Sequence, residues 1–190
     1  MDVPAAVKRL RLSRAFRGYS PGILECIHIS NDTKVYVIDD DILKVSRFAE
    51  DSEMAYGGFC AENTATNDII LLPVDNCLMS NIPDGIADCA IFDERLFAFV
   101  EFKAKAQGNS PQSREDTYRK AISQIENTLS IFTRLINRVK LNFAEEIEII
   151  GVVVVSPKFP RSNATEQNLM TEFILRNGLE LSFEPIRKYS

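Results

Sequence analysis

Two acids and a base stand at strand spacing in this chain. In LFAFVEFKAKA, Leu96 to Ala106, an apolar run ends on Glu101, Lys103 and Lys105, each two residues from the last. Side chains two apart on a strand share a face, so Glu101 and Lys103 project together. The preceding run IADCAIF (86–92) joins LFAFVEFK (96–103) through Asp93-Glu94-Arg95 as a hairpin. With a two-residue turn at Glu94-Arg95, paired positions sum to 189, which sets Asp88 opposite Glu101 and Ile86 opposite Lys103. A three-residue turn would put Asp88 on the other face. Two facing carboxylates repel, and near a covered sheet they also lose hydration. A divalent cation removes that penalty: Mg²⁺, or Mn²⁺ in its place, takes one or two carboxylates together with water and phosphate oxygens. Such an ion activates water and neutralises charge on a phosphate, and Lys103 beside it would orient or deprotonate the water. These parts suffice for phosphodiester hydrolysis without histidine.

The elements that must position these residues read as a layered α/β fold. A basic first helix is followed by the turn Tyr19-Ser-Pro-Gly22 and a meander of strands at 24–30, 34–39 and 42–46, expected as an antiparallel ribbon beside the main sheet. Residues 47–67 are weakly helical in pattern and interrupted by Gly57-Gly58. A strand at 69–74 precedes the hairpin. The longest helix, from about Gln112 to Val139, carries Tyr118, Ile122, Ile125, Leu129, Phe132, Ile136 and Val139 at alternating spacings of four and three. That stripe is expected to face the core, or to pair two copies as a homodimer. Ser110-Pro111, or Ser113 with Asp116, would cap its start. The apolar run IEIIGVVVV (147–155) suits a central strand. A helix at 164–177, with Asn163 and Glu166 as a capping box and Asn177-Gly178 at its end, and a strand at 179–183 complete the chain. Strands apolar on both faces predict a mixed sheet flanked by helices on both sides. At 190 residues the chain reads as a single domain, with 1–46 as basic helix plus meander and 47–190 as the core.

The pair of strands IADCAIF and FVEFK resembles the D…E-x-K signature of the PD-(D/E)XK nuclease superfamily, with Asp88 and Glu101-Phe102-Lys103 in the matching places. The order helix, three strands, helix, strand over about 50–155 is similar to that family's restriction-endonuclease-like αβββαβ core. The resemblance implies Asp88 and Glu101 as metal ligands and Lys103 as the group acting at the water. It further implies Gln124, on the helix after the E-x-K strand, as a site residue, and Glu62 or Glu53 as a further carboxylate from the helix before the core strands. Pro83-Asp84 falls four residues too early for the Asp88 register, which leaves Asp84 to a turn or to a charge pair with Lys105. The implied activity is a metal-dependent nuclease acting on DNA in a defence, repair or restriction setting. The alternative is a catalytically silent protein of that fold, working by protein contact as an immunity or assembly factor.

Composition narrows the remainder. There is one histidine, His28, which excludes two-histidine catalysis and histidine-rich zinc sites. P-loop, GxGxxG and GxSxG patterns are missing from the sequence. Cys26, Cys60, Cys77 and Cys89 lack metal-ligand spacing and are expected as reduced thiols of a cytoplasmic protein. No run is long and apolar enough for a membrane span. The net charge of −5 is uneven: residues 1–20 carry Lys8, Arg9, Arg11, Arg14 and Arg17 against Asp2, a net of +4, leaving −9 elsewhere. KRLRLSRAFR is either the solvated face of a first helix or an arm for nucleic acid. It also resembles an organelle presequence, against which its brevity and Asp2 count. The acidic remainder suits the alternative reading, since it repels a polyanion and attracts a basic partner.

Overall fold

Leu96–Lys103 and Glu148–Val155 are apolar on both faces, so each must be covered from both sides. The computed structural model, which describes residues 2–189, covers one side with helices and the other with a second sheet. In chain order the elements are α1 (Ala5–Arg9), α2 (Leu12–Ala15), α3 (Ile23–Cys26), β1 (His28–Ser30), β2 (Lys34–Asp40) and β3 (Val45–Ala49). After a 3₁₀ turn (Asp51–Tyr56) come β4 (Phe59–Asn63), β5 (Ile69–Pro73), β6 (Cys89–Phe92) and β7 (Leu96–Lys103). The chain continues through α4 (Pro111–Arg138), α5 (Phe143–Glu146), β8 (Glu148–Val155), α6 (Asn163–Asn177), β9 (Glu180–Ser182) and β10 (Ile186–Tyr189).

The main sheet runs β1-β5-β6-β7-β8-β9, antiparallel up to β7 and parallel from β7 to β9. Its hairpin register is the expected one, from Cys89 opposite Val100 to Phe92 opposite Phe97. The reason lies in the turn. Asp93 N donates to Leu96 O at 3.1 Å, and Asp93 Oδ1 accepts from the amides of Arg95 and Leu96 at 2.8 Å each. That closes a two-residue connection over Glu94-Arg95.

On α4, Ser110 Oγ accepts from Ser113 N at 3.1 Å and Pro111 fills the first turn. Tyr118, Ile122, Ile125, Phe132 and Ile136 are buried in the chain's own core with Phe97 and Phe99 of β7, and Leu129 is partly buried there. The opposite face is polar, so the stripe is a core face and leaves no apolar seam for a second copy. IEIIGVVVV lies between β7 and β9, as continuous burial requires.

Several expectations are corrected. The second face of the main sheet carries β10-β4-β2-β3 rather than helices, and Val35, Val37, Phe59 and Ala61 pack on Leu71, Ile91, Ala98, Val100 and Val152. The 24–30 run is mostly the helical turn α3, started where Gly22 N donates to Glu25 Oε1 at 3.2 Å, and only its tail forms β1, which joins the main sheet. The third meander strand begins at Val45, because Asp40 Oδ1 accepts from the amides of Ile42 and Leu43 and turns the chain there. Residues 47–67 are strand, 3₁₀ turn and strand: β4 is held between β2 and β10. The 164–177 helix is present, but Ser162 precedes it without a side-chain cap and Glu166 instead accepts from Tyr118 and Arg161. Of the four cysteines, Cys26 and Cys77 form a disulfide, while Cys60 and Cys89 are buried free thiols. No helix among the described residues is long and apolar enough to cross a membrane.

Candidate active site

Alternation along β7 sends Phe97 and Phe99 toward α4, so Glu101 and Lys103 continue that face just where the apolar layer ends. Glu101 is 1% exposed. Its Oε1 accepts from Lys103 Nζ, which also donates to Gln124 Oε1 of α4 at 2.8 Å. Gln124 Nε2 in turn donates to Ile86 O at 3.2 Å, so one amide ties α4, the start of the hairpin and the lysine together. Gly85, at φ 75°, presses its backbone against this amide, and a Cβ there would lie 3.1 Å from Gln124 Nε2. Asp88 sits one residue before β6, where the ladder register sets it opposite Glu101. Its Oδ2 accepts from Phe102 N at 2.6 Å, and its carbonyl accepts from the amides of Val74 and Asp75. Four residues singled out in the sequence, Asp88, Glu101, Lys103 and Gln124, are thereby brought together.

The electrostatics are those of a site with too much negative charge and too little water. Burial drives the Glu101 carboxyl up from its usual 4.5 to about 7, even though the Lys103 charge and hydrogen bond pull it down. Burial also holds Asp88 well above the carboxylate range, helped by the charges of Glu101 and Asp39 and opposed by the Phe102 amide. Glu101 Oε2 is buried with no hydrogen-bond partner, as are Asp93 Oδ2 in the hairpin turn and Ser46 Oγ; only at Glu101 does a second carboxylate, Asp88, lie opposite in the ladder. A buried carboxylate oxygen left unpaired is costly, and a cation is one group that relieves it.

Glu62 is not part of this cluster. It lies on strand β4 of the second sheet rather than on a helix, 3.9 Å from Lys34 Nζ. Glu53 is engaged by Arg47, with Oε1 at 2.6 Å from Nη2. Asp84 occupies a left-handed turn position at φ 65°, and Lys105 pairs with Asp41 rather than with Asp84. The residue that sequence reading missed is Asp39. It comes from β2 of the second sheet and lines, with Asp41, Phe102, Lys103 and Lys120, a cavity of about 320 Å³ at the end of β7. Its carboxyl is raised, first by partial desolvation and then by Asp41, Asp75 and Asp40. In the sequence Asp39-Asp40-Asp41 read as turn residues. Only the packing of one sheet on the other carries Asp39 to the site.

Among the described residues no group of three histidine, cysteine or acidic side chains is arranged to hold a metal. Asp88 and Glu101 are two carboxylates that the ladder register sets opposite each other, and Mg²⁺ is elsewhere held by one or two carboxylates with water and phosphate completing its shell. The basic segment stands elsewhere. An Arg9 guanidinium nitrogen donates to Glu94 O in the hairpin turn, and Arg11 Nη1 donates to Val139 O at 3.0 Å beyond the end of α4. No family model, curated protein or solved structure matches the chain.

Proposed function

We propose that the protein is a divalent-metal-dependent nuclease of the PD-(D/E)XK type, hydrolysing phosphodiester bonds, with DNA as its substrate and a defence, repair or restriction role. The observation that carries this reading is the unpartnered Oε2 of Glu101, buried beside Asp88 and Lys103 at the end of a strand. The order β5, β6, β7, α4, β8 supports it too, with the 3₁₀ turn and β4 standing where that core has its first helix.

Asp88 and Glu101 would hold Mg²⁺ or Mn²⁺. The ion, when bound, supplies Lewis-acid neutralisation of phosphate charge and a more acidic water. The chain's own groups do the positioning. Lys103, held by Glu101 and Gln124, would orient water at the attacked phosphate and offset developing charge. Gln124 keeps the lysine stem in place through its bridge to Ile86 O. Phe102 N fixes one oxygen of Asp88 and leaves the other for the ion.

A second reading, a silent nuclease-fold protein that works by protein contact, draws on the −9 carried outside residues 1–20. One assay separates the two. Labelled single- and double-stranded DNA and RNA are incubated with Mg²⁺, Mn²⁺ or EDTA, on wild type beside Glu101→Ala and Lys103→Ala. The nuclease reading expects metal-dependent cutting that both substitutions remove. No cutting of any substrate, with no Mn²⁺ bound, would favour the protein-contact reading.

A further inference from the structure

Arg9 and Arg11, two of the five cations of the first twenty residues, are bonded at the opposite end of the sheet from the carboxylates. Two rulers agree on the separation. β7 runs eight residues from the hairpin turn to Lys103, about 25 Å of strand. Val139, the C-cap of α4, is fifteen residues on from Gln124, about 22 Å of helix. Arg9 is bonded to the turn and Arg11 to the carbonyl of Val139, which anchors the basic segment at the far end of both.

The local fold turns this segment into a charged surface. Ala6, Val7, Leu10, Leu12 and Phe16 are buried against α4 and its neighbours. Lys8, Arg9, Arg11, Arg14 and Arg17 are all exposed. Eleven ion pairs form among the described residues, and none of them uses any of these five cations. Glu94, Glu145, Glu146 and Glu148 lie toward the same end without pairing to them, and Arg134, Arg138 and Lys140, also exposed and outside those pairs, add positive charge where α4 finishes. An acidic chain that concentrates unpaired cations on one surface has built an attachment point for a polyanion.

We propose that this basic end is a second nucleic-acid contact, gripping the phosphate backbone at a place remote from the candidate active site and holding substrate that the carboxylate end cuts. It rests on the nuclease reading for its substrate class, yet it is tested without cleavage. A phosphate backbone is favoured over an anionic membrane because interfacial binding needs an apolar face beside the charges. Here the apolar residues of α1 and α2 point inward, and α3 exposes only Leu24, at 47%.

The test is binding of a labelled DNA duplex by fluorescence anisotropy in EDTA, over a range of salt. The proteins are wild type, Lys8→Gln/Arg14→Gln/Arg17→Gln, and Lys188→Gln. The three replaced side chains form none of the ion pairs above, and a thermal melt checks that the triple variant is folded. Each lost phosphate contact removes about 0.9 from the slope of log K against log salt, so the triple variant should lose between about 2 and 3. Its affinity at about 50 mM salt should fall about tenfold or more, while Lys188→Gln, which removes an exposed cation of β10 on the second sheet, binds as wild type does. Duplex binding that the triple variant leaves unchanged would overturn the proposal. So would a wild type that ignores the duplex, whether or not it binds vesicles containing phosphatidylserine. A chain that binds through these cations but never cuts keeps this surface and loses the nuclease reading.

Discussion

The two ends of β7 are built differently. At the Leu96 end, Phe92 stacks on Phe97 at 4.5 Å, Phe97 meets Phe99, Phe132 and Phe143, and Asp93 Oδ1 accepts two turn amides while its buried Oδ2 has no partner. At the Lys103 end the same strand carries a carboxylate oxygen with no partner, a second acid opposite it, and a third, Asp39, reaching over from the other sheet. Packing and turn geometry spend stability on the first end to fix a register. The second end receives that register and uses it to hold acids together under cover of the sheet, an arrangement that detracts from folding. One strand thus separates the part that specifies the fold from the part available for chemistry.

The comparison breaks most visibly through function. Replacing Glu101 by Ala should reduce cutting by on the order of 10³, and Lys103→Ala by on the order of 10² to 10³, with circular dichroism close to wild type and the fold retained. Loss of cutting accompanied by loss of fold would mean that the site end is structural after all. The converse substitution, Phe97→Ala, empties the aromatic cluster and should cost about 3–5 kcal/mol, read as a melting temperature lower by about 10 °C or more. In the fraction still folded, Mn²⁺ affinity should be unchanged.

The pH dependence sharpens the contrast. Glu101 titrates near 7 in the folded chain against its usual 4.5, so between those values the folded state keeps a proton that the unfolded state has lost. Its contribution to stability therefore falls as pH rises through that window. Glu101→Gln should be more stable than wild type by about 3 kcal/mol near pH about 8, and the difference should shrink toward pH about 4. Metal must compete with that same proton, so Mn²⁺ affinity and cutting should rise with pH through about 7. Parallel melting curves for the two proteins across this range would remove the electrostatic account of the site. The smallest effect is expected at Gln124. Gln124→Ala leaves Lys103 without its amide partner and should slow cutting by about three- to tenfold, on the scale of one hydrogen bond, with substrate affinity unchanged.

What the sequence made legible was whatever rests on short-range pattern. The hairpin register followed from alternation and a two-residue turn, and with it came Asp88 opposite Glu101 and the placing of Glu101 beside Lys103. Gln124 is singled out by the family resemblance; the α4 stripe by itself places it only beside the core face. What stayed hidden depends on partners far along the chain. FCAEN of β4 has little alternation of its own and is a strand because Lys34–Val37 and Ile186–Tyr189 flank it. Ile186–Tyr189 reads as a polar tail until that pairing is known. ILECIHIS has the composition of a strand, yet the Glu25 bond to Gly22 N starts a helical turn and Cys26 is tied to Cys77. Strands apolar on both faces reveal that something covers each side, but not whether it is helix or sheet. Since Asp39 arrives with that covering sheet, no local pattern pointed to it, and since β4 replaced the expected helix, Glu62 went with the second sheet.

The most direct measurement is a Mn²⁺ titration followed by electron paramagnetic resonance at about pH 8, on wild type, Asp88→Asn and Glu101→Gln. The account predicts saturable Mn²⁺ binding by wild type, lost in both variants and weakened in wild type as the pH is lowered below about 7. A wild type that binds no Mn²⁺, or binding that neither substitution disturbs, would contradict it.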